Sequence, residues 1–217
     1  CGDVVAADVI EDSRKVNAST VFAAIPGTRI DGTQFVHDAV NRGCPAILTE
    51  RPLAHAAVPQ CIVPNVRAAY ARLCDAVVGH PACRLEIYGV TGTNGKTTTN
   101  WLIRSILQSA GHTCGVLGTI EYNDGQTSEP ANLTTPDPRT FSRWFRRMVD
   151  CGTWHAAIEL SSHALDQGRV ENVQLSSVVV TNITQDHFDY HGSFEEYVAA
   201  KARILEYVSR DSLVAVC

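Results

Sequence analysis

The segment TGTNGKTTT, residues 91–99, places two glycines and one lysine ahead of a run of three threonines. An apolar run precedes it and a helical pattern follows, so backbone N–H groups and the helix dipole would converge on one point. Lys96 would then contact β- and γ-phosphates, and the Thr97 hydroxyl would ligate Mg²⁺. The strict pattern needs Gly at position 90, which is Val, so this is a shorter phosphate loop. The alternative is a glycine-rich helix start with an unrelated lysine.

Glu159 is the acidic residue most suited to a nearby metal. It stands at the carboxyl end of the apolar run AAIEL, residues 156–160. A carboxylate is costly there unless it has a partner, and in an open α/β sheet a Mg²⁺–phosphate centre would lie close by. A solvated carboxylate at the end of the strand is the alternative.

Lys201 occupies an unusual place in the segment HGSFEEYVAAKARILEYV, residues 191–208. Ser193 and Glu196 form a capping box that predicts a helix start. The apolar stripe of that helix consists of Phe194, Tyr197, Val198, Ile204, Leu205 and Val208. Lys201 falls in the middle of the stripe, so it either extends to the edge or is desolvated with a lowered pKa. A neutral amine reacts with CO₂ to give a carbamate, which is an anionic oxygen ligand suited to Mg²⁺.

The segment TNITQDHFDYH, residues 181–191, directly follows the apolar run SVVVT. His187 and His191 are four residues apart, but no Glu follows the first, so the zinc-protease pattern is not met. Asn182, Asp186 and His187 would instead approach a nucleotide and its metal from the carboxyl end of a strand. A surface histidine cluster is the alternative.

Apolar strand patterns alternate with helical patterns along the chain. The strand patterns are VFAAI (21–25), PAILTE (45–50), CIVP (61–64), LEIYGVT (85–91), AAIEL (156–160), SVVVT (177–181) and LVAV (213–216). This alternation predicts an α/β fold, with a small α/β domain over residues 1–83 followed by a phosphate-loop type domain over residues 84–217. The second domain should contain a mostly parallel sheet covered on both faces. Because the last strand reaches the final residue, we expect the chain to stop inside that domain.

Composition narrows the class of protein. The chain is 45% hydrophobic and 19% charged, which is ordinary for a globular protein, and its net charge of −5 argues against nucleic-acid binding. No uninterrupted apolar run approaches the ~18 residues of a membrane span. Eight cysteines occur without a CxxC pair, and most lie in apolar surroundings typical of buried thiols. We therefore expect a cytoplasmic protein without a zinc site or disulfide framework.

Taken together, these motifs resemble the Mur ligase family, and within it the MurE type. The matching segments are DSRKV (12–16), FAAIPG with a following DG (22–32), GVTGTNGKTTT (89–99), TTPDP (134–138), ELSSHALDQGRV (159–170), TNITQDHFDYHG (181–192) and AAKARIL (199–205). The TGTNGKT motif alone would also fit the wider superfamily, including folylpolyglutamate synthases. TTPDP together with SSHALDQGR narrows the resemblance to the MurE type.

The resemblance implies an ATP-dependent amide ligation. A carboxylate of UDP-N-acetylmuramoyl-L-alanyl-D-glutamate would attack the γ-phosphate of ATP, and the amine of a diamino acid would displace phosphate from the acyl phosphate. The added amino acid stays open between lysine, meso-diaminopimelate and another amine. The domain that binds it in this family is absent, so these residues alone are not expected to complete the ligation. A monomer is expected.

Site residues follow from the matching motifs. The resemblance implies that ATP phosphates are held by Gly92, Thr93, Asn94, Gly95, Lys96, Thr97 and Thr98. The first Mg²⁺ would be bound by Thr97 and Glu159, and the second metal by His187 and carbamylated Lys201. The uridine end would face Ser13, Thr28, Arg29 and Ile30. The muramoyl-dipeptide would be held by Thr134, Thr135, Ser161, Gln167 and Arg169. Position 133 is Leu, where the family commonly has Asn, so one polar substrate contact is in doubt.

Two other functions stay open. One is a different amide ligase of the same superfamily, such as a folylpolyglutamate synthase, although the DSRKV-containing first domain speaks against it. The other is a truncated, non-catalytic module that binds a nucleotide or a UDP-sugar.

Overall fold

The computed structural model of the protein describes residues 4–27, 30–54, 56–171, 173–184 and 188–217. The chain divides into two compact units, Cys1–Val77 and Val78–Cys217, and each is described by itself. Both units combine helices with parallel strands, so the predicted α/β class is confirmed.

The first unit is built on a four-stranded parallel sheet with the order β1-β2-β3-β4. Its elements are β1 (Asp8–Ile10), β2 (Thr20–Ala23), α1 (Val36–Asn41), β3 (Ile47–Thr49), β4 (Gln60–Ile62) and α2 (Val66–Val77). Adjacent residues of a strand point to opposite faces of its sheet. Ile47 therefore packs in one core cluster with Ala39 of α1, and Leu48 packs in another with Val66 and Tyr70 of α2. Each face of the sheet is covered by a helix.

The second unit contains a seven-stranded sheet with the order β11-β10-β5-β9-β6-β7-β8. The strands are β5 (Glu86–Thr91), β6 (Cys114–Leu117), β7 (Glu121–Asn123), β8 (Ser128–Pro130), β9 (His155–Glu159), β10 (Leu175–Val180) and β11 (Val208–Val216). The five strands from β11 to β6 are parallel, whereas β7 and β8 are antiparallel to their neighbours. The predicted mostly parallel sheet is confirmed.

The helices of the second unit surround this sheet. They are α3 (Lys96–Ser109), α4 (Pro138–Asp150), α5 (Ser162–Asp166), α6 (Phe188–His191) and α7 (Phe194–Ala202). Short 3₁₀ turns in the chain span Ser13–Lys15, Gly32–Phe35, Pro81–Arg84 and Arg203–Tyr207. Helix α7 begins where the capping box predicts, because Ser193 Oγ accepts a hydrogen bond from the Glu196 N–H at 3.1 Å. Within the described ranges, no helix is long and apolar enough to cross a membrane.

Six elements of the second unit are absent from the expectation based on sequence, namely β6, β7, β8, α4, α5 and α6. Helix α4 has a clear start, because the Asp137 carboxylate accepts hydrogen bonds from the N–H groups of Arg139 and Thr140, and Pro138 takes the first helical position. Its buried side chains include Phe141, Trp144, Phe145 and Met148. This spacing of three and four is readable in the sequence.

Helix α3 buries a different side from the one its apolar residues suggest. Ile106 is 67% exposed, and Asn100 is the fully buried side chain of the helix. The helix packs against β5, β6 and β9. Gly118, just after β6, leaves room for this approach, since a Cβ there would come within 3.2 Å of Asn100 Nδ2. A polar residue therefore occupies the face of α3 that packs against the sheet.

Alternation along β9 directs Glu159 away from the main core. Ile158 belongs to the core cluster that contains Phe141 and Phe145 of α4. Glu159 is the next residue and points to the other face. There its carboxylate contacts Thr97 at the start of α3. The period of the strand thus brings an acidic side chain to the phosphate loop.

The cysteines are less uniformly buried than the sequence suggests. Of the described cysteines, Cys44, Cys74 and Cys114 are buried, Cys151 is intermediate, and the exposed ones are Cys61, Cys83 and Cys217. The expectation of mostly buried thiols is therefore wrong, because several apolar segments lie at edges of the fold. None of these described cysteines forms a disulfide.

Native-state alkylation should follow this division. Burial raises the pKa of the Cys114 thiol to about 11, which removes the reactive thiolate at mildly alkaline pH. We expect iodoacetamide to modify Cys61, Cys83 and Cys217 first, and Cys114 only after denaturation, as measured by peptide mass spectrometry. Rapid modification of Cys114 in the native protein would contradict the structure.

Candidate active site

The phosphate loop connects β5 to α3 through four residues, Gly92 to Gly95. Gly92 has a φ of 145°, a conformation that favours glycine. A Cβ at this position would also collide with the hydroxyl of Thr181. The strand, turn and helix that the motif predicts are therefore present, and Gly92 cannot carry a side chain in this turn. Thr98 is exposed in the first turn of α3.

The segment after β10 holds this loop in shape. The Asn182 carbonyl accepts a hydrogen bond from the Thr93 N–H at 2.8 Å, and its side-chain oxygen accepts one from the Asn94 N–H at 3.0 Å. The Thr181 hydroxyl donates to the Asn94 carbonyl at 2.6 Å. Asn182 therefore lies against the phosphate loop, and its predicted approach to a nucleotide and metal stays a prediction. Asp186 and His187 lie outside the described residues.

Two lysines donate to the same carbonyl of the loop. Lys96 Nζ lies 2.8 Å from the Gly92 oxygen and 2.9 Å from the Thr93 oxygen. Lys201 Nζ also lies 2.8 Å from the Gly92 oxygen. A carbonyl oxygen has two lone pairs and can accept both. The loop therefore gathers two amines from different helices in one place.

Lys201 does not extend to the edge of its helix. Its side chain is only 2% exposed, and Nζ lies 4.6 Å from the centre of the Tyr197 ring. Of the two alternatives that the apolar stripe of α7 allows, the structure shows the desolvated one. The reason is that α7 packs the amine against the phosphate loop rather than against solvent.

Glu159 is a buried carboxylate held by three donors. It is 1% exposed. Its Oε1 accepts from the Thr119 N–H at 3.0 Å, and its Oε2 accepts from the hydroxyls of Thr97 at 3.0 Å and Thr119 at 2.9 Å. Gly118 permits this arrangement, because a Cβ there would collide with the carboxylate. The alternative of a solvated carboxylate is excluded.

This donor set fits magnesium better than zinc. Among the described residues, no group of three or more His, Cys, Asp or Glu side chains could hold a metal ion. Magnesium is commonly bound by one or two protein oxygens together with phosphates and water. The Glu159 carboxylate beside the Thr97 hydroxyl has that composition, next to a loop suited to phosphates.

The residues predicted to hold the sugar-peptide lie around the backbone of Glu159. Thr135 Oγ1 donates to the Glu159 carbonyl at 2.8 Å and accepts from the Ser161 N–H at 3.0 Å. Arg169 Nη1 donates to the Thr135 carbonyl at 2.8 Å. The Arg169 guanidinium also contacts Gln167 Oε1 at 3.0 and 2.7 Å. These side chains form one connected group.

Thr134 and Thr119 join this group to the carboxylate. Thr119 Oγ1 lies 3.1 Å from Thr134 Oγ1 and 2.9 Å from Glu159 Oε2. One hydroxyl has a single proton, so donation to Glu159 leaves Thr119 to accept from Thr134. Thr119 is a site residue that the motifs do not predict. The signal is the place of Thr119 two residues after the end of β6, but that strand was itself not predicted.

A row of rings links the Gln167 side of the site to α7. Gln167 Nε2 donates to the Tyr190 hydroxyl at 3.3 Å. The Tyr190 ring lies 4.7 Å from that of His191, and His191 lies 5.4 Å from Tyr197. Tyr197 is completely buried. The sequence also allowed His191 to belong to a surface histidine cluster. In the structure, His191 is instead part of this packed row of rings.

Only part of the predicted uridine site lies in the described residues of the first unit. Ser13 is buried in its 3₁₀ turn, Ile30 is 56% exposed, and Thr28 and Arg29 fall outside the described residues. A cavity of about 530 Å³ is lined by Ser13 and its neighbours Glu11, Asp12, Arg14, Phe35 and Asp38. A hydrogen bond from Ser13 and another from Arg42 lower the pKa of Asp38.

Comparison with protein families identifies the class. The family model for the Mur ligase catalytic domain matches residues 9–85, and that for the Mur ligase middle domain matches residues 90–217. The chain belongs to the Mur ligase family.

Among curated proteins, the chain is similar to UDP-N-acetylmuramoyl-L-alanyl-D-glutamate–2,6-diaminopimelate ligases. Identity is 46% over 92% of the chain for the protein from Geobacillus thermodenitrificans and 41% over 94% for that from Aquifex aeolicus. It is 42% over 99% for the protein from Caulobacter vibrioides. The chain spans 40 to 45% of the length of these relatives.

Solved structures agree in fold. A UDP-N-acetylmuramoyl-L-alanyl-D-glutamate–2,6-diaminopimelate ligase superposes with a TM-score of 0.81 at 30% identity, over 97% of this chain and 43% of that one. MurF from Acinetobacter baumannii shares the fold with a TM-score of 0.62 at 22% identity, over 96% of this chain and 43% of that one.

Removing one of the hydrogen-bond donors to the Glu159 carboxylate should destabilise the second unit. The variant Thr119→Val loses the hydroxyl but keeps the N–H, so the buried carboxylate loses one charge-assisted hydrogen bond. We expect the free energy of unfolding to fall by about 1.5 to 3 kcal/mol, measured by urea denaturation. Thr119→Ser is the matched control because it keeps the hydroxyl. Equal stability of the two variants would show that this hydrogen bond contributes nothing.

Proposed function

We propose that the parent protein is an ATP-dependent ligase that joins a diamino acid to UDP-N-acetylmuramoyl-L-alanyl-D-glutamate in peptidoglycan precursor synthesis. One observation carries the proposal. The side chain of Glu159 turns to Thr97 of the phosphate loop region, while its backbone carbonyl accepts a hydrogen bond from Thr135. A single residue thus contacts both the proposed nucleotide side and the proposed sugar-peptide side, which supports transfer between two adjacent substrates.

The chemistry needs the carboxylate to be activated before it can acylate an amine. A carboxylate oxygen of the sugar-peptide attacks the γ-phosphorus of ATP, the bond to the bridging oxygen breaks, and ADP leaves. The amine then attacks the acyl carbon, inorganic phosphate leaves, and the amine nitrogen loses a proton. The backbone N–H groups of the loop and the Lys96 amine hold the phosphates in line and balance their charge.

Magnesium fits the pair formed by Thr97 and Glu159, as the donor set above indicates. Bound there, it would neutralise charge on the ATP phosphates. Thr119 holds the Glu159 carboxylate in orientation through its N–H and hydroxyl. The Thr97 hydroxyl oxygen would be the second protein ligand. His187 is part of the proposed second metal site by resemblance alone.

Arg169 is proposed to bind an anionic group of the sugar-peptide. Its guanidinium lies beside Thr135 and Gln167, and a planar fork of donors matches a carboxylate or phosphate. Thr134 and Ser161 complete the proposed contacts. In the first unit, we propose that Ser13, Thr28, Arg29 and Ile30 take the uridine end, with residues 1–83 as the UDP-binding domain and 84–217 as the ATP-binding domain.

The diamino acid is proposed to be 2,6-diaminopimelate, because the relatives described above are named as ligases of that amino acid. A cytoplasmic monomer is proposed, and described cysteines without disulfides suit a reducing compartment. A folylpolyglutamate-type ligase and a non-catalytic module are not favoured, since the match at 46% identity is to a diaminopimelate ligase.

Two substitutions should separate the two ligand sites in isothermal titration. Lys96→Ala removes charge-assisted contacts to phosphate, so we expect ATP–Mg²⁺ to bind about 10 to 100 times more weakly, with affinity for the sugar-peptide retained. Arg169→Ala should weaken the UDP-N-acetylmuramoyl-dipeptide by a similar factor and leave ATP–Mg²⁺ affinity unchanged. Arg210→Ala, at an exposed position of the second unit, is the matched control. Absence of ATP–Mg²⁺ binding by the wild type would refute the proposal.

Carbamylation of Lys201 can be tested without turnover. A desolvated amine is easier to deprotonate, and the neutral amine adds CO₂ to form a carbamate with release of one proton. With isotopically labelled CO₂ we expect one carbamate signal by nuclear magnetic resonance, absent in Lys201→Ala and retained in Lys15→Ala, whose side chain is exposed. Identical spectra for wild type and Lys201→Ala would exclude a carbamate at this residue.

A further inference from the structure

Helix α7 contacts two successive residues of the phosphate loop. Lys201 Nζ donates to the Gly92 carbonyl at 2.8 Å, and the Tyr197 hydroxyl lies 3.0 Å from the hydroxyl of Thr93. Residues four apart share one face of a helix, so both side chains reach the loop from the same side. The sequence motifs account for Lys201 but assign nothing to Tyr197.

The hydrogen bonds around Thr93 define which group donates. Thr93 Oγ1 accepts from the Thr184 N–H at 2.9 Å, and it lies 3.2 Å from the Thr184 carbonyl oxygen. A hydroxyl donates one hydrogen bond and accepts two. All three contacts are satisfied only when Thr93 donates to the Thr184 carbonyl and accepts from Tyr197. The Tyr197 hydroxyl is therefore the donor.

Burial gives this hydrogen bond a defined geometry. Tyr197 is 0% exposed, and its ring is fixed between His191 and Lys201, at 5.4 Å from the His191 ring and 4.6 Å from Lys201 Nζ. A hydroxyl on a fixed, fully buried ring can hold a partner in one orientation. Thr93 in turn bonds to Asn182 through its N–H and to Thr184 through its hydroxyl.

We propose that Tyr197 is a positioning residue for the phosphate loop: its hydroxyl fixes Thr93 and so aligns the backbone N–H groups at the start of α3 that bind the phosphates of ATP. The N–H groups of Thr93 and Asn94 are themselves bound to Asn182. The proposal rests on the function proposed above, because it requires the loop to bind a nucleotide. Tyr197 is fully buried and acts on the loop through Thr93.

The test is a double-mutant cycle on affinity for ATP–Mg²⁺, measured by isothermal titration of the full chain. Tyr197→Phe keeps the ring but loses the hydroxyl, so we expect the Kd to rise about threefold to tenfold, the range for one neutral hydrogen bond. Thr93→Val should also raise the Kd. In the double variant Tyr197→Phe should add nothing further, because its partner is already absent.

Tyr207→Phe is the matched control. Tyr207 is also a buried tyrosine of the second unit, but its hydroxyl donates to Glu171 at 3.2 Å, away from the loop. We expect this variant to be less stable, as measured by a lower Tm, and its Kd for ATP–Mg²⁺ to be unchanged. If the loss of any buried hydroxyl weakened nucleotide binding through packing alone, the Kd for ATP–Mg²⁺ would rise in Tyr207→Phe as it does in Tyr197→Phe.

Each outcome decides between the alternatives. Unchanged Kd in Tyr197→Phe, or additive effects in the double variant, would overturn the positioning role while leaving the proposed function intact. Should Tyr197→Phe fail to fold, Thr93→Val alone remains decisive, since wild-type affinity in that variant would overturn the proposal. Absence of nucleotide binding by the wild type would overturn the proposed function, and this role with it.

Discussion

The structure depends most on one buried carboxylate. Glu159 ends a central strand with 1% exposure, and a charge in that position is tolerated only because the N–H of Thr119 and two hydroxyls hold it. This requirement determines the surroundings. Gly118 must lack a side chain, α3 must bring Thr97 to the end of the strand, and β6 must end where Thr119 can reach the same carboxylate.

A second constraint concerns the carbonyl of Gly92. The loop turns this oxygen toward two amines, one from the first turn of α3 and one from α7. Backbone oxygens hold the amines of Lys96 and Lys201 beside the turn whose N–H groups would face a phosphate. Electrostatic groups that are already in place require little reorganisation when an anion arrives, which is the physical basis of preorganised catalysis.

The group around Thr135 and Gln167 and the group around the phosphate loop are connected by short contacts rather than by a single element. Thr135 bonds to the backbone of Glu159, Thr119 reaches both Thr134 and the carboxylate, and the rings of Tyr190, His191 and Tyr197 continue from Gln167 to α7. Displacing any one of these elements would move groups on both sides. This arrangement suits a reaction in which an oxygen of one substrate must meet the phosphorus of another.

The sequence by itself determined the α/β class, the phosphate loop, the start of α7 and the resemblance to the Mur ligase family. These are local patterns, because apolar period, glycine spacing and capping residues act within a few neighbours along the chain. Helix α4 was readable in the same way from Asp137, Pro138 and its apolar spacing, although the strand patterns alone did not include it.

Only the tertiary structure decided how Lys201, Thr119 and Tyr197 are used. The position of Lys201 in an apolar stripe allowed either exposure or burial, and packing of α7 on the phosphate loop selected burial. Thr119 and Tyr197 gain their roles from partners about 40 and 100 residues away, Glu159 and Thr93. Contacts between residues so far apart in the chain depend on how strands order themselves in a sheet, and no local pattern records that order.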